Sequence, residues 1–218
     1  MQEFASQSVY HVEKESITKN EQSYIVGKVE VGMSVEEMII RLYASDKRAA
    51  FKLFYEHYAH KLMGICIRYL SNQDEAEDVM QEVLYKIYIG LGHFNYRGNG
   101  SLKAWSSRMV VNESIDYLRQ KKRFVFIDNI MDMEDFVDAT DEKIDGFVEE
   151  MPIEILQSMV DSLPIGYRTI FNLFLMEGYS HAQIASILGI KENSSSSQYH
   201  RARMILKKKI EKWMNEKK

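Results

Sequence analysis

Proline breaks helices and removes a donor from sheets, and this chain of 218 residues has only two, Pro152 and Pro164. The first 151 residues contain none. Strand-like alternation is scarce, while apolar residues recur at helical spacing, so the expected fold is all-α. Such a length allows one large or two small domains. Hydrophobic residues make up 45% of the chain, enough for packed cores. A single cysteine, Cys66, excludes an internal disulfide framework and a Cys-based zinc site. No apolar run reaches membrane-spanning length and no signal peptide opens the chain, so the expectation is a soluble, cytoplasmic protein.

Periodicity divides the chain. Residues 1–40 are polar and weakly patterned, an extension with no assigned role. Residues 41–123 form a first helical domain. Its first long helix should begin after Ser45 and Asp46, a natural cap pair. The stripe of that helix is Phe51, Phe54, Tyr58, Leu62, Ile65 and Tyr69. "SNQD", Ser71–Asp74, opens a second helix with a capping-box pattern. Ala76, Val79, Val83, Ile87 and Leu91 face inward on it. "FNYRGNGS", Phe94–Ser101, reads as a loop, and Ser101 can cap a third helix running to about Lys122. The core side of that helix is Ala104, Val111, Ile115 and Leu118. Residues 124–151 are an acidic linker, and 152–218 a second helical domain in which Pro164 stands at a helix start.

Within the second domain lies "YSHAQIASILGIKENSSSSQYHRAR", Tyr179–Arg203. Ser180 with Gln183 is a capping box. Ala182, Ile184, Ala185 and Leu188 follow at helical spacing, and Gly189 stands where a terminating glycine belongs. A second helix then carries Tyr199, Ala202, Leu206, Ile210 and Trp213 on one face and Arg201, Lys207 and Lys208 on another. Two helices joined by a short glycine-containing turn match the DNA-reading helix-turn-helix, with an ordinary helical hairpin as the alternative.

The net charge of -4 conceals a segregation. Phe124–Ser162 carries 12 acidic residues and one lysine, whereas Leu163–Lys218 carries 10 basic and 4 acidic. A basic module thus stands beside an acidic tether. On the second helix Asp78, Gln81, Glu82 and Tyr85 share one side, either a solvated surface or an acidic docking face. On the third, Trp105, Arg108, Asn112 and Arg119 share another. An aromatic ring among basic and amide groups suits single-stranded nucleic acid, and a core-edge tryptophan is the alternative. "RQKKR", Arg119–Arg123, ends that helix with a basic cluster. His57 and His60 lie near Cys66 in sequence. Tyr58 between them belongs to the core stripe, so they read as core flanks. No metal, no cofactor and no catalytic group is expected.

Three segments in this order resemble the extracytoplasmic-function sigma factors of bacteria. They are "DEAEDVMQEVLYKIY", Asp74–Tyr88; "FNYRGNGSLKAWSSRMVVNESIDYLRQKKR", Phe94–Arg123; and "LPIGYRTIFNLFLMEGYSHAQIASILGIKENSSSSQYHRARMILKKK", Leu163–Lys209. The resemblance implies a non-enzymatic protein that binds bacterial core RNA polymerase, through the β′ clamp and β flap, and directs initiation at promoter DNA. It implies polymerase contacts by Asp78, Gln81, Glu82 and Tyr85. It implies that the loop with Asn95, Arg97, Asn99 and Ser101 holds a flipped -10 base. Trp105, Arg108 and Asn112 would line the non-template strand, and Arg119 would also bind -10 DNA. Ser180, Asn193, Ser194, Ser195, Ser197, Gln198, Arg201 and Arg203 would meet the -35 duplex. The linker would thread toward the RNA exit channel, and an anti-sigma factor would be a regulatory partner. Where family members often carry Lys or Arg, the recognition helix opens with Asn193 and four serines. Short hydroxyl contacts would then read bases, with Arg201 and Arg203 on phosphates. The other readings are a stand-alone helix-turn-helix regulator and a helical metalloenzyme using His57 and His60.

Overall fold

The computed structural model describes residues 32–121 and 151–216. The acidic linker, apart from Met151, and residues 1–31 of the extension lie outside the described residues. Every described element is helical.

Helix α1, Val35–Tyr43, is capped by Ser34, whose side chain accepts from the Glu37 N–H. It spans the boundary expected at residue 40, and it buries Glu36 and Ile39 against the first domain. Helix α2, Lys47–Leu70, starts as expected: Asp46 accepts from the N–H groups of Arg48 and Ala49. Phe54, Tyr58, Leu62 and Tyr69 of its stripe are buried, while Phe51 and Ile65 are half-buried. Helix α3, Gln73–Gly90, buries Ala76, Val79, Val83 and Ile87. Its cap differs from the expectation. Ser71 takes the left-handed conformation that ends α2 (φ 52), so it cannot cap the next helix. Asn72 does, accepting from the Glu75 N–H at 3.0 Å.

Helix α4, Ser101–Gln120, also departs from expectation at its start. Gly100 occupies the cap position with φ 91, and Ser101 instead donates its hydroxyl to the Gly98 carbonyl at 2.6 Å. Val111, Ile115 and Leu118 are buried as expected, but Ala104 is exposed. The inward row is completed by Leu102, Ser106, Val110 and Ser114. The two serines bond their own helix, to the carbonyls of Leu102 and Val110. Small, internally satisfied side chains of this kind let α4 pack closely. Helix α4 lies against both α2 and α3.

The second domain comprises α5 (Ile153–Asp161), α6 (Ile165–Phe171), a π turn over Asn172–Met176, α7 (His181–Leu188) and α8 (Glu192–Glu216). Val160, Leu163, Phe171, Ala202 and Leu206 form its own small core. Its other face does not stand apart. Ile170, Leu173, Ile184 and Leu188 join the large core built by α1–α4. The two helical domains therefore share apolar burial, at about 25 cal/mol per Å² of area removed from water.

Candidate nucleic-acid and polymerase interface

Three surfaces and one joint matter. The first lies on α3, where the buried row Val79, Val83 and Ile87 turns Asp78, Gln81, Glu82 and Tyr85 outward together. All four are exposed. Ile89, which sequence reading missed, extends the patch: Tyr85 and Ile89 are large apolar side chains left 56% and 51% exposed. Lys86 bridges Glu113 on α4 and Glu82, 3.5 Å away, and the Glu113 carboxylate first of all raises its pKa.

The second surface is the loop before α4 with the outer side of that helix. Asn95, Arg97 and Asn99 are exposed. Ser101 is half-buried and accepts from the Arg97 N–H. Arg108, Asn112 and Arg119 are exposed along α4. Trp105 is half-buried. Its ring stands 5.0 Å from that of Phe94, and a Cβ on Gly90 would come within 2.9 Å of it. The half-buried indole packs at the core edge, and Arg108, Asn112 and Arg119 are the exposed members of its row.

The third surface is the helix-turn-helix. The capping box of Ser180 and Gln183 is formed in both directions. Gly189 has φ 70, and the Ile190 N–H reaches back to the Ala185 carbonyl at 3.0 Å, the long bond of a Schellman turn. On α8 the expected face needs correction. Asn193 is exposed and Ser197, Arg201 and Arg203 are half-buried, but Ser194, Ser195 and Gln198 are buried. The buried stripe at Leu206 and Ala202, counted back in steps of four and three, lands on Gln198 and Ser195. Ser195 shares a hydrogen bond with His181 Nδ1 at 3.0 Å, and the His181 ring stacks on Phe174. Ser195 thus ties α8 to α7 through His181, and Ser194, Ser195 and Gln198 are turned into the domain rather than outward. The outward row is Asn193, Ser196, Ser197 and His200, and periodicity anchored on Ala202 could have found it.

The joint between the domains was not legible in the sequence. Helix α2 ends with carbonyls that no later turn can satisfy. Arg168 Nη2 donates to the Tyr69 carbonyl at 3.0 Å, and Asn172 Nδ2 to the Arg68 carbonyl at 3.0 Å. A cation at a helix C-terminus also meets the negative end of its dipole. Burial pulls the Arg168 pKa down, partly restored by Asp161. Arg68 Nη2 pairs with Glu177 at 3.0 Å. Burial raises the Glu177 carboxyl, and Arg68 offsets only part of that. Arg119, expected to bind -10 DNA, donates to the Ile187 carbonyl at 3.0 Å. A cleft of about 440 Å³ separates Lys103, Arg108 and Val111 from Glu177 and Tyr179.

His57 and His60 are exposed, whereas Cys66 is buried in the core, so the three do not converge. Among the described residues no helix is long and apolar enough to cross a membrane.

Residues 54–124 match the family model for Sigma-70 region 2, and residues 153–206 that for Sigma-70 region 4. The chain is 30% identical over 186 residues to the ECF RNA polymerase sigma-E factor of Haemophilus influenzae, an alignment covering 82% of this chain and 96% of that protein. It is 28% identical over 185 residues to the ECF RNA polymerase sigma factor SigW of Bacillus subtilis, covering 82% and 97%. To the RNA polymerase sigma-H factor of Pseudomonas aeruginosa it is 28% identical over 197 residues, covering 83% and 96%.

Proposed function

The chain belongs to the extracytoplasmic-function (ECF) RNA polymerase sigma factors, and from that membership we propose a division of labour among its faces. It binds bacterial core RNA polymerase and directs promoter-specific initiation. Asp78, Gln81, Glu82 and Tyr85, with Ile89, dock on the polymerase clamp. Asn95, Arg97, Asn99, Arg108 and Asn112 meet the -10 strand. The outward row from Asn193 to His200, with Arg201 and Arg203, meets the -35 duplex. The chain carries out no catalysis itself and works in the cytoplasm, where its polymerase is, under an anti-sigma partner. A stand-alone regulator would leave the docking and -10 faces without a task.

The joint gives this reading a conformational requirement. Elements centred at -10 and -35 are roughly 25 base pairs apart, about 85 Å at 3.4 Å per pair. Arg119 on the -10 helix instead touches Ile187 in the helix-turn-helix at 3.0 Å. The two elements cannot be read together in this arrangement, so the promoter-bound form has the joint open. The 29 residues from 122 to 150 span up to about 100 Å when extended, enough to bridge that gap.

The observation that carries the reading is the exposed acidic-aromatic face on α3, standing beside a separate DNA-reading module in one chain. Its test is the double substitution Asp78→Arg with Glu82→Lys. Both residues are exposed, so the helical content should stay at the wild-type level while affinity for core polymerase falls at least tenfold. A double variant that binds core polymerase as wild type does would show the docking face to be elsewhere.

A further inference from the structure

Helix α1 lies before the matched region 2 segment, yet it holds both ends of the -10 loop. At the near end, the Ser34 hydroxyl lies 3.1 Å from the Tyr96 hydroxyl. At the far end, Glu36 reaches the start of α4. Its Oε2 accepts from the Gly100 N–H at 2.9 Å and the Leu102 N–H at 3.1 Å. Its Oε1 accepts from the Lys103 N–H at 3.0 Å and the Tyr58 hydroxyl at 3.0 Å. Three of these donors belong to the N-terminal end of α4, which its own turn cannot satisfy. Gly100 has no side chain with which to cap the helix, and Glu36 supplies the missing group from outside.

Glu36 is 2% exposed. Burial pushes its carboxyl upward, but the bonds from Lys103, Leu102, Tyr58 and Gly100 together hold it below the usual carboxylate range. Between the two tethers the loop passes through Gly98, at positive φ as Gly100 is, with Arg97 and Asn99 presented outward. Ser101 closes the loop locally on Gly98 and Arg97, and the two tethers fix that closed loop to α1.

We propose that α1 positions the -10 reading loop, with Glu36 as the principal positioning residue and Ser34 as the second tether. The proposal rests on the promoter-reading function given above. Glu36 touches no base. It fixes the backbone so that Arg97 and Asn99 meet an unpaired base in one geometry. An amide cannot replace it, because Glu36→Gln would turn an NH₂ group toward donors that need an acceptor.

The test uses holoenzyme assembled from the full chain and bacterial core polymerase. The probe is a fork-junction DNA library, a fixed duplex joined to a short randomised unpaired segment. Wild type should enrich one base at one or more positions by roughly 5- to 150-fold. Glu36→Gln should keep its core affinity but lose most of that enrichment at a single position, Glu36→Asp should regain part, and Ser34→Ala should lose a smaller share there. A merely structural role would lower binding to every sequence alike. Unchanged enrichment in Glu36→Gln and Ser34→Ala would overturn the proposal. Should Glu36→Gln fail to fold, Ser34→Ala decides alone. No enrichment by wild type would refute the promoter-reading function of the loop instead.

Discussion

Asn172→Ala isolates the joint between the domains. Asn172 is fully buried, and its amide donates across the joint to the Arg68 carbonyl at 3.0 Å. Truncation leaves that part-buried carbonyl unpaired in the closed form, which costs about 1–3 kcal/mol. In the open form water reaches the carbonyl, so the loss falls on closure alone. The opening equilibrium should therefore rise about 5- to 150-fold. The assay is single-molecule energy transfer between dyes on Lys61→Cys and Ser186→Cys, both exposed positions in different domains. Cys66 is buried and stays unlabelled in the native protein. The low-transfer population of free Asn172→Ala should exceed that of wild type at least fivefold, with helical content preserved. Equal populations in the two proteins would refute the assignment of Asn172 as a clasp.

Three more outcomes follow from the same structure. Both amide atoms of Gln198 are buried without a hydrogen-bond partner among the described residues, so Gln198→Met should raise the urea midpoint, by about 1 kcal/mol in stability; a lower midpoint would contradict the assignment. Burial pushes the Cys66 thiol up to about 12, with Ser114 pulling only slightly the other way, so the native protein should resist alkylation near pH 8 and react once unfolded; rapid native labelling would contradict it. The folded pKa of Glu36 lies below its unfolded value, so its stabilisation is complete above the ordinary carboxylate range and fades as pH falls through the folded value. Wild type should therefore lose more thermal stability than Glu36→Gln between about pH 6 and about pH 3, and parallel losses would count against the carboxylate.

Local rules reached the helices and the capping box because Asp46, Ser180, Gln183 and Gly189 act within a few residues of themselves. They failed where the partner is distant in sequence. Ser101 looked like a cap, but the cap comes from Glu36, 64 residues before Gly100. The family resemblance put Ser194, Ser195 and Gln198 on the -35 duplex, yet the stripe through Ala202 turns them inward. The polar row on α3 was legible as a pattern, and only its exposure distinguished it from a row partly turned inward. The joint had no local signature at all. Arg168 and Asn172 are ordinary helical residues until the end of α2 is brought to them.

This chain reads promoters as part of RNA polymerase. The most direct measurement mixes the purified protein with bacterial core polymerase and a promoter DNA library, then sequences the 5′ ends of the transcripts. Specific start sites that share a two-part upstream motif are expected, and no such starts with core polymerase alone. Tight, specific duplex binding by the free protein, with no transcripts when polymerase is added, would contradict this reading.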